Sequence, residues 1–198
     1  MRITVAILAG GLSSRMGTDK AALEWDGKTL LERAARAALD AGLPALVVGR
    51  PRPDAWPLPQ VAFVPDRAPG RGPLGGLEAA LHHAQAPVLA LACDLPLLQP
   101  ADLHWLAALF ASAGGTEGPH GLAVRSAGRW EPLFSVYAPA CLPLLEARLA
   151  AGRLSLHGLI EAGEFGVADA PAHVAAHLVN VNTPGDLARL RGDTGGGR

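Results

Sequence analysis

The feature that most constrains this chain is the run Thr4-Val5-Ala6-Ile7-Leu8-Ala9, continuously apolar or β-branched and ended abruptly by Gly10-Gly11. A strand with one wet face alternates apolar and polar residues. An unbroken run belongs to a strand covered on both faces, as in a parallel sheet flanked by helices. The chain order supplies those helices. Residues 29–41 carry helical spacing (Leu30, Leu31, Ala34, Ala37, Ala38), with Thr29 as N-cap and Gly42 past the end. Further strands are expected at 45–48, 61–64 and 88–92, and further helices at 75–84 and 101–112. The proline-rich stretch 49–59 is loop.

The second half is less regular. Strands are expected at 122–125, 132–137 and 177–181, and helices at 139–151 and 155–160. A last helix is opened by Pro184 and reaches about residue 191. Residues 192–198 are glycine-rich and read as a flexible tail, which leaves 1–191 as one domain. The expected class is therefore α/β: a single-domain, open, mainly parallel twisted sheet flanked by helices. Composition agrees, since 49% of residues are hydrophobic but only 5% aromatic, the mix of buried parallel strands and Ala-rich helices.

Several function classes are disfavoured at once. The net charge is −1 with no long Lys/Arg run, so nucleic acid is not the expected partner. The N-terminal apolar run reaches glycine too early for a secretory signal, and no stretch approaches a membrane span. Cys93 and Cys141 are the only cysteines and lack metal-ligand spacing, so a reducing cytoplasm is the expected location.

Four segments carry chemistry. The first is Leu8-Ala9-Gly10-Gly11-Leu12-Ser13-Ser14-Arg15-Met16-Gly17-Thr18-Asp19-Lys20. Ligands of open α/β sheets collect beyond the carboxyl ends of the strands. A glycine-rich loop there lets backbone N–H groups approach an anion, and Arg15 and Lys20 add a guanidinium fork and a point charge. Such a loop fits nucleotide phosphates, although it is neither the P-loop pattern nor the dinucleotide fingerprint. A glycine pair alone would be read as a plain turn.

The second segment is Cys93-Asp94-Leu95-Pro96 after the strand at 88–92. A carboxylate leaving an apolar strand must pair or bind a cation, and Mg2+ takes one or two carboxylates plus phosphate oxygens. Asp94 equally suits a turn or N-cap before Pro96, and Cys93 reads as a small buried hydrophobe. The third runs from Pro65-Asp66-Arg67 to Gly72-Pro73-Leu74-Gly75-Gly76-Leu77, a shaped loop into a helix start where Gly75-Gly76 permit close approach. Asp66 there is either an acceptor for a base or ribose, or a turn carboxylate. The fourth is Val179-Asn180-Val181-Asn182-Thr183-Pro184, whose two amides would share one face of a strand and suit a polar heterocycle or a metal-bound water. One asparagine, or Thr183, is expected to cap the following helix. Asp102, Glu24 and Asp26 read as solvated carboxylates. His82 and His83 point different ways on a helix, and no His/Asp/Glu cluster has zinc spacing.

With those residues in view, Leu8-Ala9-Gly10-Gly11 through Arg15-Met16-Gly17 to Asp19-Lys20 resembles the signature of sugar-phosphate-type nucleotidyltransferases. Within that superfamily the chain is similar to the molybdenum cofactor guanylyltransferase family. Gly72-Pro73-Leu74-Gly75-Gly76-Leu77, Cys93-Asp94-Leu95-Pro96 and Asn180-Val181-Asn182-Thr183-Pro184 carry that resemblance, which runs from about residue 3 to 190. It implies a Rossmann-like nucleotidyltransferase fold and transfer of GMP from GTP to the phosphate of molybdopterin, with release of pyrophosphate. By the same resemblance, Leu8, Ala9, Gly10 and Gly11 line the nucleotide and Lys20 and Asp66 contact it. Asp94 binds Mg2+ and also touches the nucleotide, and Arg15 lies beside the phosphates. Arg15, Lys20 and Asp94 are the expected catalytic residues, and Asn180 and Asn182 lie near the pterin or the metal. Where the family often has an Asn after the second strand, this chain reads Val47-Val48-Gly49-Arg50, so that contact is not carried over. GTP and molybdopterin are the implied substrates, with transient contact to proteins that deliver or accept the cofactor. The alternatives are a related enzyme using CTP or a sugar-phosphate acceptor, and a non-catalytic nucleotide- or cofactor-binding protein.

Overall fold

The structure, a computed structural model, describes residues 3–10, 19–67, 70–112 and 118–195. Along the chain, β1 (Thr4–Leu8) is followed by a 3₁₀ turn at Lys20–Ala22, a small hairpin of β2 (Glu24–Trp25) and β3 (Lys28–Thr29), and α1 (Leu30–Asp40). Next come β4 (Ala45–Val48), β5 (Ala62–Val64), α2 (Gly72–Ala84), β6 (Val88–Ala92) and α3 (Pro100–Ser112). The second half holds β7 (Gly121–Ser126), β8 (Arg129–Trp130), β9 (Phe134–Tyr137), α4 (Leu142–Ala150), α5 (Leu156–Ala162), β10 (Gly166–Asp169), α6 (Ala172–Ala175) and α7 (Pro184–Gly195).

The main sheet has eight strands in the order β10-β7-β9-β6-β1-β4-β5, with β8 paired to β7. β1 is parallel to β4 on one edge and to β6 on the other, in the registers Leu8↔Val48 and Leu8↔Ala92. β5 is parallel to β4 and β10 to β7, while β9 is antiparallel to both β6 and β7. The expected α/β class therefore holds, with a mixed, mainly parallel sheet.

The unbroken apolar run of β1 is explained by its two covered faces. Val5 and Ile7 pack with Ala34, Ala38 and Leu103 of α1 and α3 on one side. Ala6 packs with Leu74, Leu77 and Leu145 of α2 and α4 on the other. Burying each such Leu or Val contributes roughly 1.5–3 kcal/mol. The α1 start is as read, since Thr29 Oγ1 accepts from the Glu32 amide at 3.1 Å.

Some elements differ from the sequence expectation. α2 begins at Gly72 because Pro73 takes a first-turn position, where a missing N–H costs nothing. The β2–β3 hairpin turns on Asp26 and Gly27, both at positive φ (51° and 71°), the two-residue turn that an Asp-Gly pair favours. The β7–β8 hairpin turns on Ala127 and Gly128 in the same way, with φ 48° and 76°. Residues 178–182 are not a strand: Val181 alone is buried there, and its amide donates to the Asp94 carbonyl at 2.9 Å. α7 continues through Gly195, into the stretch expected as tail.

One backbone contact sets the shape of the site edge. A Cβ on Gly49 would lie 2.5 Å from Gly10 Cα, and Gly49 itself holds φ +87°. The loops after β1 and β4 therefore touch backbone to backbone. By contrast, a Cβ on Gly76 would meet Leu8 at 3.5 Å, an ordinary distance. The backbone-to-backbone contact is thus at Gly10–Gly49. Gly49→Ala is expected to lower the unfolding free energy by at least the ~1–2 kcal/mol of a left-handed non-glycine residue, read as a lower urea midpoint with an unchanged denaturant slope. An unaltered midpoint would contradict the contact.

Candidate active site

The carboxyl ends of β1, β4, β5 and β6 open on one edge of the sheet, and four side chains read from the sequence gather there. The β1 end is held by ladder bonds that run one step further, from the Ala9 amide to Val48 O and from the Gly49 amide to Val64 O, both 3.0 Å. Asp66, two residues beyond β5, lies over the Gly10–Gly49 contact. A Cβ on Gly10 would stand 3.1 Å from one of its oxygens, and a Cβ on Gly49 3.2 Å from the other. Burial raises the Asp66 pKa. Beside it a cavity of about 700 Å³ is lined by Gly49, Arg50, Arg52, Phe63 and Asp66.

On the other flank of β1, Lys20 Nζ donates to Asn182 Oδ1 and stands 3.8 Å from Asp94 Oδ2. A single ammonium thus joins three segments that are far apart in sequence. The second Asp94 oxygen, Oδ1, is buried and accepts no hydrogen bond from the described residues. Burial raises the Asp94 pKa and Lys20 opposes it. An orphaned carboxylate oxygen at a strand end is the kind of hard-oxygen donor that Mg2+ takes. The neighbouring Cys93 thiol is pushed up to about 12, by burial first and by Asp94 second, so it is neutral, as read.

Asp19 and Arg50 belong to this assembly too, and the sequence reading gave neither a role. Asp19 caps the 3₁₀ turn that carries Lys20, accepting from the Ala21 amide at 3.1 Å, and pairs with Arg50 Nη2 at 2.7 Å. Arg50 follows the glycine that the backbone contact demands, where the resemblance led one to look for Asn. Gly11 and Arg15 lie outside the described residues.

Asn180 and Asn182 line a second cavity of about 860 Å³, together with Asp94, Trp130, Glu131 and Leu154. They are carried by an irregular segment anchored at three points. Val181 is buried with Trp25, Leu30 and Leu187. His177 Nδ1 is 2.9 Å from Asp102 Oδ2. The latter corrects the reading of Asp102 as solvated: it is 1% exposed, and it also accepts from the Gln99 amide at 2.8 Å. The third anchor is a reciprocal cap, in which Thr183 Oγ1 accepts from the Asp186 amide while Asp186 accepts from the amides of Asn182 (2.9 Å) and Thr183 (2.8 Å). Thr183 does the capping, which leaves the Asn182 amide for Lys20. One further grouping was missed because its members come from two helices: Glu78 and His82 of α2 meet Glu146 of α4, with His82 Nε2 2.9 Å from Glu146.

With this geometry in place, residues 5–164 match the MobA-like NTP transferase domain. The chain belongs to that family. This MobA-like chain is 38% identical over 192 residues to a probable molybdenum cofactor guanylyltransferase of Deinococcus radiodurans, covering 96% of this chain and 94% of the relative. A second protein of that description, from Opitutus terrae, is 34% identical, with 94% and 93% covered. The crystal structure of molybdopterin-guanine dinucleotide biosynthesis protein A from Archaeoglobus fulgidus superposes with a TM-score of 0.76 at 24% identity, covering 97% of this chain and 98% of that one, and so shares the fold. The family resemblance read from the sequence is borne out. No helix among the described residues is long and apolar enough to cross a membrane.

The cap under Asn182 makes a pH prediction. The Asn182 amide first, then Arg189 and Thr183, hold the Asp186 carboxyl down to about 2 from 3.8. A depressed folded-state pKa stabilises above the unfolded value, and that contribution is lost as pH falls through the folded one. Asp186→Asn should therefore lower the melting temperature near neutral pH. The gap to wild type should close as pH drops from about 4 towards about 2. A gap independent of pH would contradict the ionised cap.

Proposed function

We propose that this chain transfers GMP from GTP to the phosphate of molybdopterin, releasing pyrophosphate and making the guanine dinucleotide form of the molybdenum cofactor. The observation that carries the reading is Lys20, placed between Asp94 and Asn182 on the β6 flank of β1. The names of the full-length relatives support the same acceptor and base.

A phosphate oxygen of the acceptor attacks the α-phosphorus of GTP. A new P–O bond forms, and the bond from the α-phosphorus to the bridging oxygen breaks as pyrophosphate leaves. The nucleophile is already ionised near neutral pH, so no strong base is needed, and catalysis rests on positioning and charge. The backbone of Leu8, Ala9, Gly10 and Gly11 holds the nucleotide, and Asp66 accepts from its base or ribose. Lys20 and Arg15 offset charge on the phosphates. Asp94, with Asn182 beside it, would hold Mg2+, which when bound neutralises phosphate charge and lines up the reacting groups. Asn180 and Asn182 contact the acceptor. A non-catalytic carrier has no use for a lysine beside a half-buried carboxylate at the edge of a cavity. Proteins that deliver or accept the cofactor are the expected transient partners, in the cytoplasm.

Lys20→Ala and Asp94→Ala should each lower turnover by about 100-fold or more while the circular dichroism stays that of wild type. Near-normal turnover in either variant would sink the assignment. Calorimetry with GTP, ATP, CTP and UTP in Mg2+ should show a clear preference for GTP. A preference for CTP would keep the phosphate site and replace the product.

A further inference from the structure

The larger cavity holds two residues to which no role has been given, and they are mounted with unusual care. Trp130 closes the β7–β8 hairpin and lines the cavity. The Arg125 guanidinium lies over its ring at 5.5 Å, and Arg125 is itself gripped by Asp169 through bonds of 3.0 and 3.2 Å. The indole is thus braced before any ligand arrives.

Glu131 follows directly and also lines the cavity. Its backbone is fixed three ways: its amide donates to Val124 O at 2.8 Å, and its carbonyl accepts from the Phe134 amide at 2.9 Å and from Ser135 Oγ at 2.8 Å. Ser135 is fully buried, and so is Tyr137, whose hydroxyl donates to the next carbonyl, that of Pro132, at 2.9 Å. Two buried hydroxyls therefore serve one turn, while the Glu131 carboxylate accepts no hydrogen bond from the described residues. Burial raises its pKa and Arg129 opposes the shift. Leu154, 39% exposed, adds apolar surface to the same wall.

A braced indole beside an unpaired carboxylate is complementary to a flat heterocycle that presents N–H donors along one edge. Both the pterin and the guanine of the proposed reaction have such an edge. The guanine nucleotide is assigned to the flank with Gly10, Gly49 and Asp66, and this wall lies on the flank with Asp94 and the asparagines. We propose that Trp130 and Glu131 seat the pterin of the acceptor, the indole stacking on its face and the Glu131 carboxylate accepting from its 2-amino edge. This rests on the guanylyltransferase reading above and adds the residues that choose its acceptor.

The test uses the intact chain and two fluorescent probes, pterin and lumazine, which has oxygen in place of the 2-amino group. Wild type should bind pterin at least about tenfold more tightly than lumazine, because a site built around an N–H donor rejects the analogue lacking it. In Glu131→Gln the preference should fall to about twofold or less. Trp130→Ala should weaken both probes by about tenfold, with Trp130→Phe recovering most of the loss, as expected for stacking. GTP affinity should stay within about twofold of wild type in all three variants, which also shows that they fold. A preference retained in Glu131→Gln overturns the proposal, and so does a loss of GTP affinity in its place, which would assign the carboxylate to guanine. Wild type that binds GTP but neither probe at millimolar concentration removes the proposal and the acceptor with it, leaving the nucleotide half of the reading intact. Wild type that binds no GTP removes the reading itself.

Discussion

Because β1 is hydrogen-bonded in parallel to β4 on one edge and β6 on the other, the three strands must release their chains at the same edge of the sheet. Its faces are buried against helices, so everything chemical has to happen beyond Leu8. The chain order then divides that edge. After β1 it moves outward through β4 to β5, and it returns to the opposite side with β6, which puts the crevice of a doubly wound sheet at β1. Asp66 arrives from the β5 side and Asp94 from the β6 side. Gly10 and Gly49, pressed together, carry no side chains, so Asp66 can stand directly over the β1 loop.

A parallel edge of this kind is incomplete without the far end of the chain. Asn182 reaches Lys20 from 162 residues away because its segment is tied to the sheet and to two helices. The bond from the Val181 amide to the Asp94 carbonyl sets the height of the segment, and the packing of Val181 on Trp25 and Leu30 sets its depth. Asp102 and His177 pin one end of it, and the Thr183–Asp186 cap pins the other. An extended strand would have pointed both asparagines the same way. The irregular segment still brings both asparagines to the cavity, with Asn182 also on the lysine.

What was legible in the sequence was local or followed from chain order. The apolar run of β1, the Thr29 cap and the carboxylates just past strand ends are each decided by a few neighbouring residues. Asp102 was misread because its burial is decided by His177, 75 positions later. Residues 179–182 alternate as a strand does, but alternation cannot say whether a ladder partner exists, and none is in place there among the described residues. Trp130 and Glu131 gave no signal, since an aromatic and a glutamate before a proline are ordinary in a loop. They matter only through the antiparallel pairing of β9 with β6, which carries the turn into the same cavity as Asp94. The Asp-Gly turn at Asp26-Gly27, by contrast, was readable and was passed over.

The electrostatics of Asp94 show why Lys20 sits where it does. Desolvation favours the neutral carboxylic acid, which is of no use for holding a divalent cation. The lysine ammonium 3.8 Å away opposes that shift. The same ammonium is held by the Asn182 amide, which is neutral and leaves the local charge balance untouched. In the proposed reaction two phosphorylated molecules must meet, and each brings negative charge into a crevice that already contains Asp94. In that proposal the work of bringing two anions together falls on Lys20 and on the cation that Asp94 is suited to hold, with no proton-transfer residue required.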